Sequence, residues 1–456
     1  MVTIGTDALP GTITTVDSTD NVGRVLTAPA VPVLVGQAYL SEGNANADEV
    51  YRISRASRAS SLFGPSEESM LTHALHGALT EGASVVYAVA AAEQSVSGED
   101  LSGESGTGAT LDNAPVIEHA DDVTFTINST TKDTVLYYDG DPSNASPGSD
   151  EVWLNPQSGK FKADESLGNT GDEVDYSYAD YTNTFDQIDT ATILDGDTYL
   201  RTVADFIAVV DENSSPVTDA KDKSEAMAQE GWFNIAVGGA GEPYIVDKET
   251  GTDETAGYSN PFDTSRLQLL YPTRDSEDNT IIGEYIGVRA ELGIDEIPMF
   301  SQFASVNSLH TTLSLAQQEN LVNSYVNPLE PRRSSVRIID DLTTVSDGNA
   351  DEAAWRRGFA RLVTDFVTER ADERADPFIG DFNERSVLNA LRGNISSDLK
   401  NLYESGQIEG YSLVVEKSDS LTAILDIGIK TAKPLRNIEI TVTAGDVAAG
   451  ATGGNN

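Results

Sequence analysis

Histidine is the side chain most often used for acid–base catalysis and metal binding, and this 456-residue chain contains only four. They are His73, His76, His119 and His310. His73 and His76 lie three positions apart in a stretch that reads as a helix. A metal-binding pair on a helix usually stands four positions apart, with a third ligand nearby. The spacing therefore favours a partly exposed helix surface over a metal site.

The chain is equally poor in groups for nucleophilic catalysis. It has no cysteine, which excludes disulfides, thiolate metal sites and cysteine nucleophiles. A serine nucleophile needs a histidine base, yet no histidine lies in a recognisable motif and GxSxG does not occur. We therefore expect neither enzymatic activity nor a cofactor.

One glycine-rich stretch, AVGGAGEPY, follows a predicted strand and offers backbone N–H groups that could surround a phosphate. Its glycines are Gly238, Gly239 and Gly241. The full GxGxxG spacing is missing, and no Lys-Ser or Lys-Thr pair follows. An ordinary turn at the end of a strand is the favoured interpretation.

A second polar loop, DGDPSNASPGSDE, places oxygen ligands close together in sequence. Asp139, Asp141 and Asp150 are weak candidates for holding a calcium ion. An EF-hand loop needs glycine at its sixth position and glutamate at its twelfth, where this loop has Asn144 and Asp150. We expect a solvated hairpin loop, with a weak cation site as the alternative.

The charge of the chain excludes several classes of partner. It carries 74 acidic and 29 basic residues, only ten of them lysine, for a net charge of −45. Such a chain repels phosphate backbones and anionic lipid, and no basic stripe interleaved with aromatic residues occurs. We expect a halophilic protein whose self-repulsion is screened by salt, with an ordinary acidic protein as the alternative.

Membrane insertion and secretion are not expected either. No segment approaches the roughly 18 apolar residues that a membrane span needs. The stretch MVTIGTDALPGTITTVDSTD has no basic start and no long apolar run, so it is not read as a secretory signal. The expectation is a soluble protein made in the cytoplasm.

The chain from Pro29 to residue 92 alternates strand and helix patterns. The apolar run PAVPVLVG predicts a buried strand. The stretch FGPSEESMLTHALHGALTEG predicts a helix that begins near Pro65 and Ser66 and ends at Gly82. SVVYAVAAA predicts a second buried strand, and strand–helix–strand is the repeating unit of an α/β sheet.

Residues 93–190 predict a β-rich insertion in this α/β fold. The stretch 95–113, SVSGEDLSGESGTGATLDN, reads as a linker because of its glycine and serine content. Polar residues alternate with β-branched or aromatic ones in VTFTINSTT, DTVLYYDG and EVDYSYADYT, which predict strands. The α/β pattern resumes over 191–329, with strands in YLRTVADFIAVVD, GWFNIAVGG and SRLQLLYP and helices in SEAMAQE and IIGEYIGVRAELG.

The sequence of residues 330–433 predicts an α+β segment. SSVRIIDDLTTV reads as a strand, and one face of the helix that follows carries large apolar residues. These are Trp355, Phe359, Leu362 and Phe366. A second helix, capped by Asn383 and closed by Gly406, leads to alternating strands in 409–416 and 420–431.

The C-terminal quarter differs from the rest of the chain in charge. Residues 330–445 hold 15 of the 29 basic and 20 of the 74 acidic residues, a net charge of −5. A nearly neutral region in so acidic a chain predicts dense protein–protein contact. The alternative is that this region has a smaller exposed surface.

The order of these elements resembles the contractile tail sheath proteins of viruses and related contractile injection systems. The similarity begins at LPGTITTVDST and continues at VPVLVGQAYLSEG and SLFGPSEESMLTHALHGALTEGASVVYAVAAA. It is strongest in RIIDDLTTVSDGNADEAAWRRGFARLVTDFV, FIGDFNERSVLNALRGNISSDLKNLYESGQIEGYSLVVE and LDIGIKTAKPLRNIEITVTA. The match covers most of the chain except 93–190, and with the acidic composition it suggests a haloarchaeal system.

This resemblance implies an α/β, subtilisin-like sheath core without protease chemistry, a β-rich insertion, an α+β C-terminal domain and extended arms. The implied parts are an N-terminal arm (1–28), the core (29–92 and 191–329), an inserted outer domain (93–190), a polymerisation domain (330–433), and a C-terminal arm with a flexible tail (434–456).

The resemblance also implies a function. Subunits would form a helical homopolymer of hexameric rings around a tail tube, and contraction would drive the tube through a target envelope. The implied partners are further copies of the chain, the tail tube protein, and the baseplate and tail terminator proteins, in a virion tail assembled in the host cytoplasm. Two alternatives remain: an acidic surface-layer or capsid-associated structural protein, and an enzyme of subtilisin-like fold.

In such a polymer, terminal strands would pair with the sheet of a neighbouring subunit. Isolated β-prone segments gain stability by joining an open sheet edge. The candidate exchange residues are Ile13, Val16, Val22, Val25, Leu26, Leu435, Ile438, Ile440 and Val442. Pairing of 435–442 within its own subunit is the alternative for the C-terminal segment. Arg392 and Lys400 are the candidates for facing the tube.

Overall fold

The computed structural model describes residues 2–4, 14–16, 30–118, 123–138, 141–193, 198–241, 258–292, 296–380, 384–419 and 422–432. Its helices are α1 (Ala56–Phe63), α2 (Met70–Thr80), α3 (Asp186–Thr190), α4 (Ser214–Gln229), α5 (Ile282–Leu292), α6 (Leu315–Asn323), α7 (Gly358–Ala375) and α8 (Arg385–Glu404). Its strands are β1 (Val2–Ile4), β2 (Thr14–Val16), β3 (Pro32–Gly36), β4 (Val50–Ile53), β5 (Val86–Ala90), β6 (Ala92–Asp100), β7 (Gly106–Thr110), β8 (Thr124–Ile127), β9 (Thr130–Leu136), β10 (Glu151–Leu154), β11 (Lys160–Leu167), β12 (Glu173–Asp180), β13 (Thr192–Ile193), β14 (Thr198–Tyr199), β15 (Phe206–Val209), β16 (Ile235–Gly239), β17 (Leu267–Tyr271), β18 (Asn327–Arg332), β19 (Ser335–Ile338), β20 (Ile408–Lys417) and β21 (Ala423–Thr431).

The largest sheet has eight strands in the order β19-β18-β17-β16-β15-β3-β5-β4. Its central strands, β18 to β5, are parallel, and β19 and β4 are antiparallel edges. Successive side chains of a strand point to opposite faces, so Leu34 joins a core cluster with α2 and α5 while Val33 and Val35 join another with α4 and α6. Helices on both faces of a mostly parallel sheet confirm the predicted α/β class.

Helices α2 and α5 lie in backbone contact because glycines face the other helix. A Cβ atom at Gly283 would lie 1.9 Å from the carbonyl oxygen of Ala74, and one at Gly287 would lie 2.5 Å from that of Ala78. The carboxyl group of Glu284 fills the space beside Gly77, where a Cβ would meet its Cδ at 2.4 Å. Burial raises the pKa of Glu284 to about 8, and its Oε2 has no hydrogen-bond partner among the described residues.

We expect Glu284→Gln to remove a pH dependence of stability. The folded protein keeps the Glu284 proton up to about pH 8, whereas the unfolded chain loses it near pH 4.5. Unfolding between these values releases a proton, so the free energy of unfolding falls as pH rises from 4.5 to 8 and stays constant above. Denaturant unfolding of the wild type should show this loss, about 3–5 kcal/mol, and the variant should not. Glu291→Gln, at an exposed position of α5, is the control; an unchanged slope in Glu284→Gln would contradict the assignment.

A second sheet has seven strands, all between Ala92 and Asp180, in the order β6-β12-β8-β9-β10-β11-β7. It has a core of its own, which includes Phe125, Phe161 and Tyr176. The linker predicted over 95–113 is wrong, because β6 pairs with β12 and β7 pairs with β11. Both are edge strands whose side chains are exposed or half-buried, so they carry the serine and glycine that a linker also has.

Several boundaries in the structure differ from those that the sequence predicted. Helix α2 begins at Met70, not near Pro65, because the Ser69 side chain accepts a hydrogen bond from the Thr72 N–H at 3.2 Å. The boundary predicted at residue 330 falls inside β18, which pairs with β17 and β19 and so belongs to the large sheet.

The C-terminal helices also differ at their starts. Helix α7 begins at Gly358, and Trp355 lies in a preceding 3₁₀ turn with its indole N–H donating to Thr364 Oγ1 at 3.1 Å. Helix α8 begins after Glu384, which makes no side-chain cap, while the predicted cap Asn383 lies outside the described residues. Gly406, with φ of +78°, ends this helical segment as predicted. Helices α1 and α6 and strand β4 have no counterpart in the prediction.

Among the described helices, none combines the length and the apolarity needed to cross a bilayer.

Candidate functional site

Open α/β sheets bind ligands at their carboxyl edge, where the strand order reverses. Here that point lies between β3 and β15, which Gln37 and Asp211 follow. The protein's own side chains fill it. The Asp211 carboxylate accepts hydrogen bonds from the backbone N–H of Gln37 (3.2 Å), from Gln37 Nε2 (2.5 Å) and from the Tyr181 hydroxyl. Burial raises the pKa of Asp211 above its ordinary value.

The seven-stranded sheet contributes further side chains to this crevice. Gln157 accepts from the Glu212 N–H (2.8 Å) and donates to Glu118 (2.6 Å). Arg274 binds Glu118 at 2.8 Å and Glu212 at 3.1 Å, and its guanidinium lies 4.2 Å from the centre of the Tyr138 ring. The position where this class of fold binds substrates is therefore used to join the two sheets.

The glycines of the predicted turn permit close packing. A Cβ at Gly238 would lie 2.7 Å from Val217 Cγ2, and one at Gly239 would lie 3.1 Å from Glu212 Cγ. Gly241 has φ of +71°, as a turn requires. Gly238 and Gly239 end β16 and pack against the side chains of Val217 and Glu212, which agrees with a strand end followed by a turn and not with a phosphate loop.

The described histidines serve separate local contacts. His76 Nε2 lies 3.1 Å from both Ser60 Oγ and the Ala56 carbonyl oxygen, which ties α2 to α1. His310 Nδ1 contacts the carboxylate of Asp278. Burial lowers the pKa of His73, and His119 lies outside the described residues.

A lysine occupies the one carboxylate group with metal-ligand spacing in the described ranges, formed by Asp150, Asp164 and Glu165. Lys132 Nζ lies 3.2, 3.1 and 2.9 Å from these three carboxylates, and its side chain is fully buried. Asp141 binds a different lysine, Lys160, at 2.6 Å. Asp139 lies outside the described residues. Asp141 and Asp150 thus each bind a lysine, and Asp150 shares its lysine with two other carboxylates.

The candidate assembly surface is the ribbon of β20 and β21. The two strands pair from Ile408 and Thr431 to Lys417 and Ala423, and no third strand joins them in the part of the chain described. One face packs half-buried apolar residues against the apolar stripe of α8. These residues are Leu413, Val415, Leu425 and Ile427 on the ribbon and Leu391, Ile395, Leu399 and Leu402 on the helix.

Among the described residues, no strand covers the other face of the ribbon or pairs with either of its edges. Val414 and Ile424 are 41% and 44% exposed on this outer face. A two-stranded ribbon is marginal in water, and a strand at the edge of a sheet presents backbone donors and acceptors to a further strand. The ribbon can therefore accept additional strands.

Only some of the other predicted assembly residues lie in the described part of the chain. Arg392 and Lys400 are both exposed on α8, where Lys400 lies 3.4 Å from Glu404. Val16 belongs to β2, whose backbone pairs with β1 of the same chain. The remaining strand-exchange candidates lie outside the described residues: Ile13, Val22, Val25, Leu26, Leu435, Ile438, Ile440 and Val442.

Comparison with known proteins gives a clear likeness in fold. No protein-family model and no curated protein matches the chain. The contracted helical sheath of the anti-feeding prophage superposes with a TM-score of 0.56 and 13% identity, over 96% of this chain and 99% of that one. The contracted sheath complex of the extracellular contractile injection system PVC gives 0.53 and 13%, over 97% and 99%. The sheath tail protein of Listeria innocua gives 0.53 and 13%, over 90% and 93%. The chain thus has the mixed α/β fold of contractile sheath proteins.

Proposed function

We propose that the chain is the structural subunit of a contractile sheath. Copies would stack as hexameric rings around a tail tube and contract to drive that tube through a target envelope. The observation that carries this proposal is the fold likeness to a contracted helical sheath over 96% of the chain. The likeness extends over nearly the whole length of both chains, so it includes the seven-stranded sheet as well as the core.

In this proposal, each part of the chain has the role that the resemblance implies. The large sheet and its helices form the subtilisin-like core, and the seven-stranded sheet is an outer domain that faces away from the tube. Residues 1–28 and 434–456 are arms, and α8 with the β20–β21 ribbon forms the polymerisation unit, with Arg392 and Lys400 facing the tube. The net charge of −45 supports a haloarchaeal virus or injection system, with the particle assembled in the host cytoplasm.

Strand exchange at the ribbon would hold neighbouring subunits together. An N-terminal segment within 13–26 and the C-terminal segment 435–442 would add to the open edges of β20 and β21, at least one of them from another subunit. Such backbone pairing keeps subunits connected while their rigid cores rotate. Pro434 supports the exit of the last segment, because proline interrupts strand pairing.

The proposed activity is mechanical, not enzymatic. The carboxyl-edge crevice is filled by Asp211, Gln157, Glu118 and Arg274, and His76 and His310 contact neighbouring structural groups. Contraction would draw on energy stored in the folded packing of the extended polymer, so a nucleotide site is not required. Baseplate, tail terminator and tube proteins complete the proposed particle.

Electron microscopy of the purified protein across a salt series tests this function. Carboxylates on adjacent copies repel over a Debye length of about 30 Å at 0.01 M salt but about 3 Å at 1 M. We therefore expect hollow tubes at salt concentrations on the order of molar and their dissociation in dilute buffer. Flat lattices would favour a surface-layer protein, and monomers at every salt concentration would contradict the sheath proposal. Stable tubes in dilute buffer would contradict the halophilic part alone.

A further inference from the structure

Three arginines form an exposed basic cluster at one edge of the large sheet. Arg52 lies on the edge strand β4, Arg55 immediately precedes α1, and Arg58 lies in its first turn. All three are exposed. Arg58 Nε donates to the Arg52 carbonyl oxygen at 3.1 Å, which holds these residues together beside the strand.

None of the three binds a carboxylate among the described residues, which is unusual for a basic side chain in this protein. At the opposite edge of the same sheet, Arg332 and Arg337 both bind Glu330, at 3.2 and 2.5 Å. In a chain of net charge −45, an uncompensated cluster of positive charge is a local exception to the composition. The cluster is therefore suited to an acidic partner surface.

The chain itself presents such a surface on the seven-stranded sheet. Residues 93–190 contain 21 acidic residues and three lysines, and the lysines are bound within that sheet and its loops. Lys132 and Lys160 bind carboxylates, and Lys162 donates to the carbonyl oxygens of Ser143 and Ala145. The edge strand β6 and its neighbour β12 carry exposed carboxylates at Glu93, Asp100 and Glu173.

Within one subunit the two surfaces lie beyond opposite ends of β5. Arg52 pairs with Tyr87 on β5, and Arg55 and Arg58 continue past the amino end of that strand. Strand β6 begins beyond its carboxyl end, so Tyr87 and Glu93 are separated by about 20 Å of extended chain. The basic cluster can therefore meet the acidic strands only on a second copy.

We propose that Arg52, Arg55 and Arg58 bind the acidic β6–β12 edge of a neighbouring copy of this chain. The inference rests on the proposed polymer and names a contact within it. Two complementary surfaces at different places on one molecule form a head-to-tail contact, which propagates into rings or helices. At molar salt only charges in direct contact still attract, so this contact selects a neighbour while general repulsion is screened.

The test measures the critical concentration for tube formation by sedimentation, at a salt concentration where the wild type polymerises. We expect the triple variant Arg52→Gln, Arg55→Gln, Arg58→Gln to raise it at least tenfold, and the corresponding triple lysine variant to restore most of the assembly. The control is Lys160→Gln, Lys221→Gln, Lys223→Gln, which removes the same charge from side chains that bind carboxylates in their own chain. This control should polymerise nearly as well as the wild type.

A charge exchange identifies the partner surface. Replacing the three arginines by glutamate should abolish tubes, and adding Glu93→Lys, Asp100→Lys and Glu173→Lys to the same chain should restore them. Unimpaired assembly of the glutamine variant, equal impairment of the control, or no restoration by the exchange would each overturn the inference. The inference would also be overturned if the three arginines were needed for binding duplex DNA or anionic vesicles and not for binding a neighbouring copy. A wild type that forms no tubes would instead be a failure of the proposed function.

Discussion

Removal of residues 1–28 is expected to yield folded monomers or short rings and no long tubes. No third strand pairs with the β20–β21 ribbon in the described chain, and the N-terminal arm is the strand proposed to join one of its edges. Without the arm, the proposed link between neighbouring subunits would be lost, because the backbone groups of that edge would bind water in its place. Electron microscopy and sedimentation at molar salt measure the outcome.

The deletion should leave the fold of the subunit intact. The Ala30 N–H donates to the Ala290 carbonyl oxygen at 3.2 Å, and the Val31 N–H donates to Asp205 at 2.7 Å, so the core is anchored immediately after the arm. Circular dichroism and an unchanged unfolding transition serve as the control for folding. Intact, contractile tubes from the deletion variant would show that the arm is not part of the joint.

The second large effect is expected at a buried ion network that fixes α7 to the large sheet. Asp365 on α7 binds Arg266 through both carboxylate oxygens, at 2.5 and 2.8 Å, and also binds Arg361. All three side chains are almost fully buried. Asp365→Ala would leave two arginines without their shared carboxylate, and we expect it to lower the free energy of unfolding by about 3–5 kcal/mol.

Denaturant unfolding checks this value against a matched exposed pair. Arg374 on α7 binds Asp398 on α8 at 2.6 Å in a solvent-exposed contact. Asp398→Ala should therefore cost less than about 1 kcal/mol. Equal effects of the two substitutions would contradict a buried, mutually dependent network at Asp365.

The same network bears on the nearly neutral charge of residues 330–445. The sequence suggested that this neutrality marks a contact surface. Part of this neutral charge comes from ion pairs inside the subunit, because Arg361 is buried with Asp365 and Arg357 binds the buried Asp340. Outward contact remains a proposal, and it concerns the exposed ribbon and α8 more than α7.

The core strands and helices were predictable from the pattern of apolar residues along the chain, because that pattern follows which side chains are buried. Strands such as β3, β5 and β17 are buried on both faces, so they read as continuous apolar runs. Strands β6 and β7 were missed because these edge strands have no fully buried side chain, and polar strands without buried residues look like linkers. The pairing partner that makes them strands lies far away in sequence.

The side-chain networks were not predictable for a related reason. Arg274 and Glu118 are separated by 156 residues, and Gln157 and Glu212 by 55, so no local spacing relates them. The loop at 139–151 suggested oxygen ligands, but the cation that binds Asp150 is the Lys132 ammonium group, which comes from a different strand. Only the arrangement of the sheet brings these groups together.

A cryo-EM reconstruction of the polymer formed at molar salt tests the central claim most directly. The account predicts hollow helical tubes of hexameric rings, in which the β20–β21 ribbon of each subunit carries added strands and at least one comes from a neighbour. It also predicts α8 on the inner surface and the seven-stranded sheet on the outer one. A planar lattice, or a tube in which each ribbon is completed only by its own chain, would contradict it.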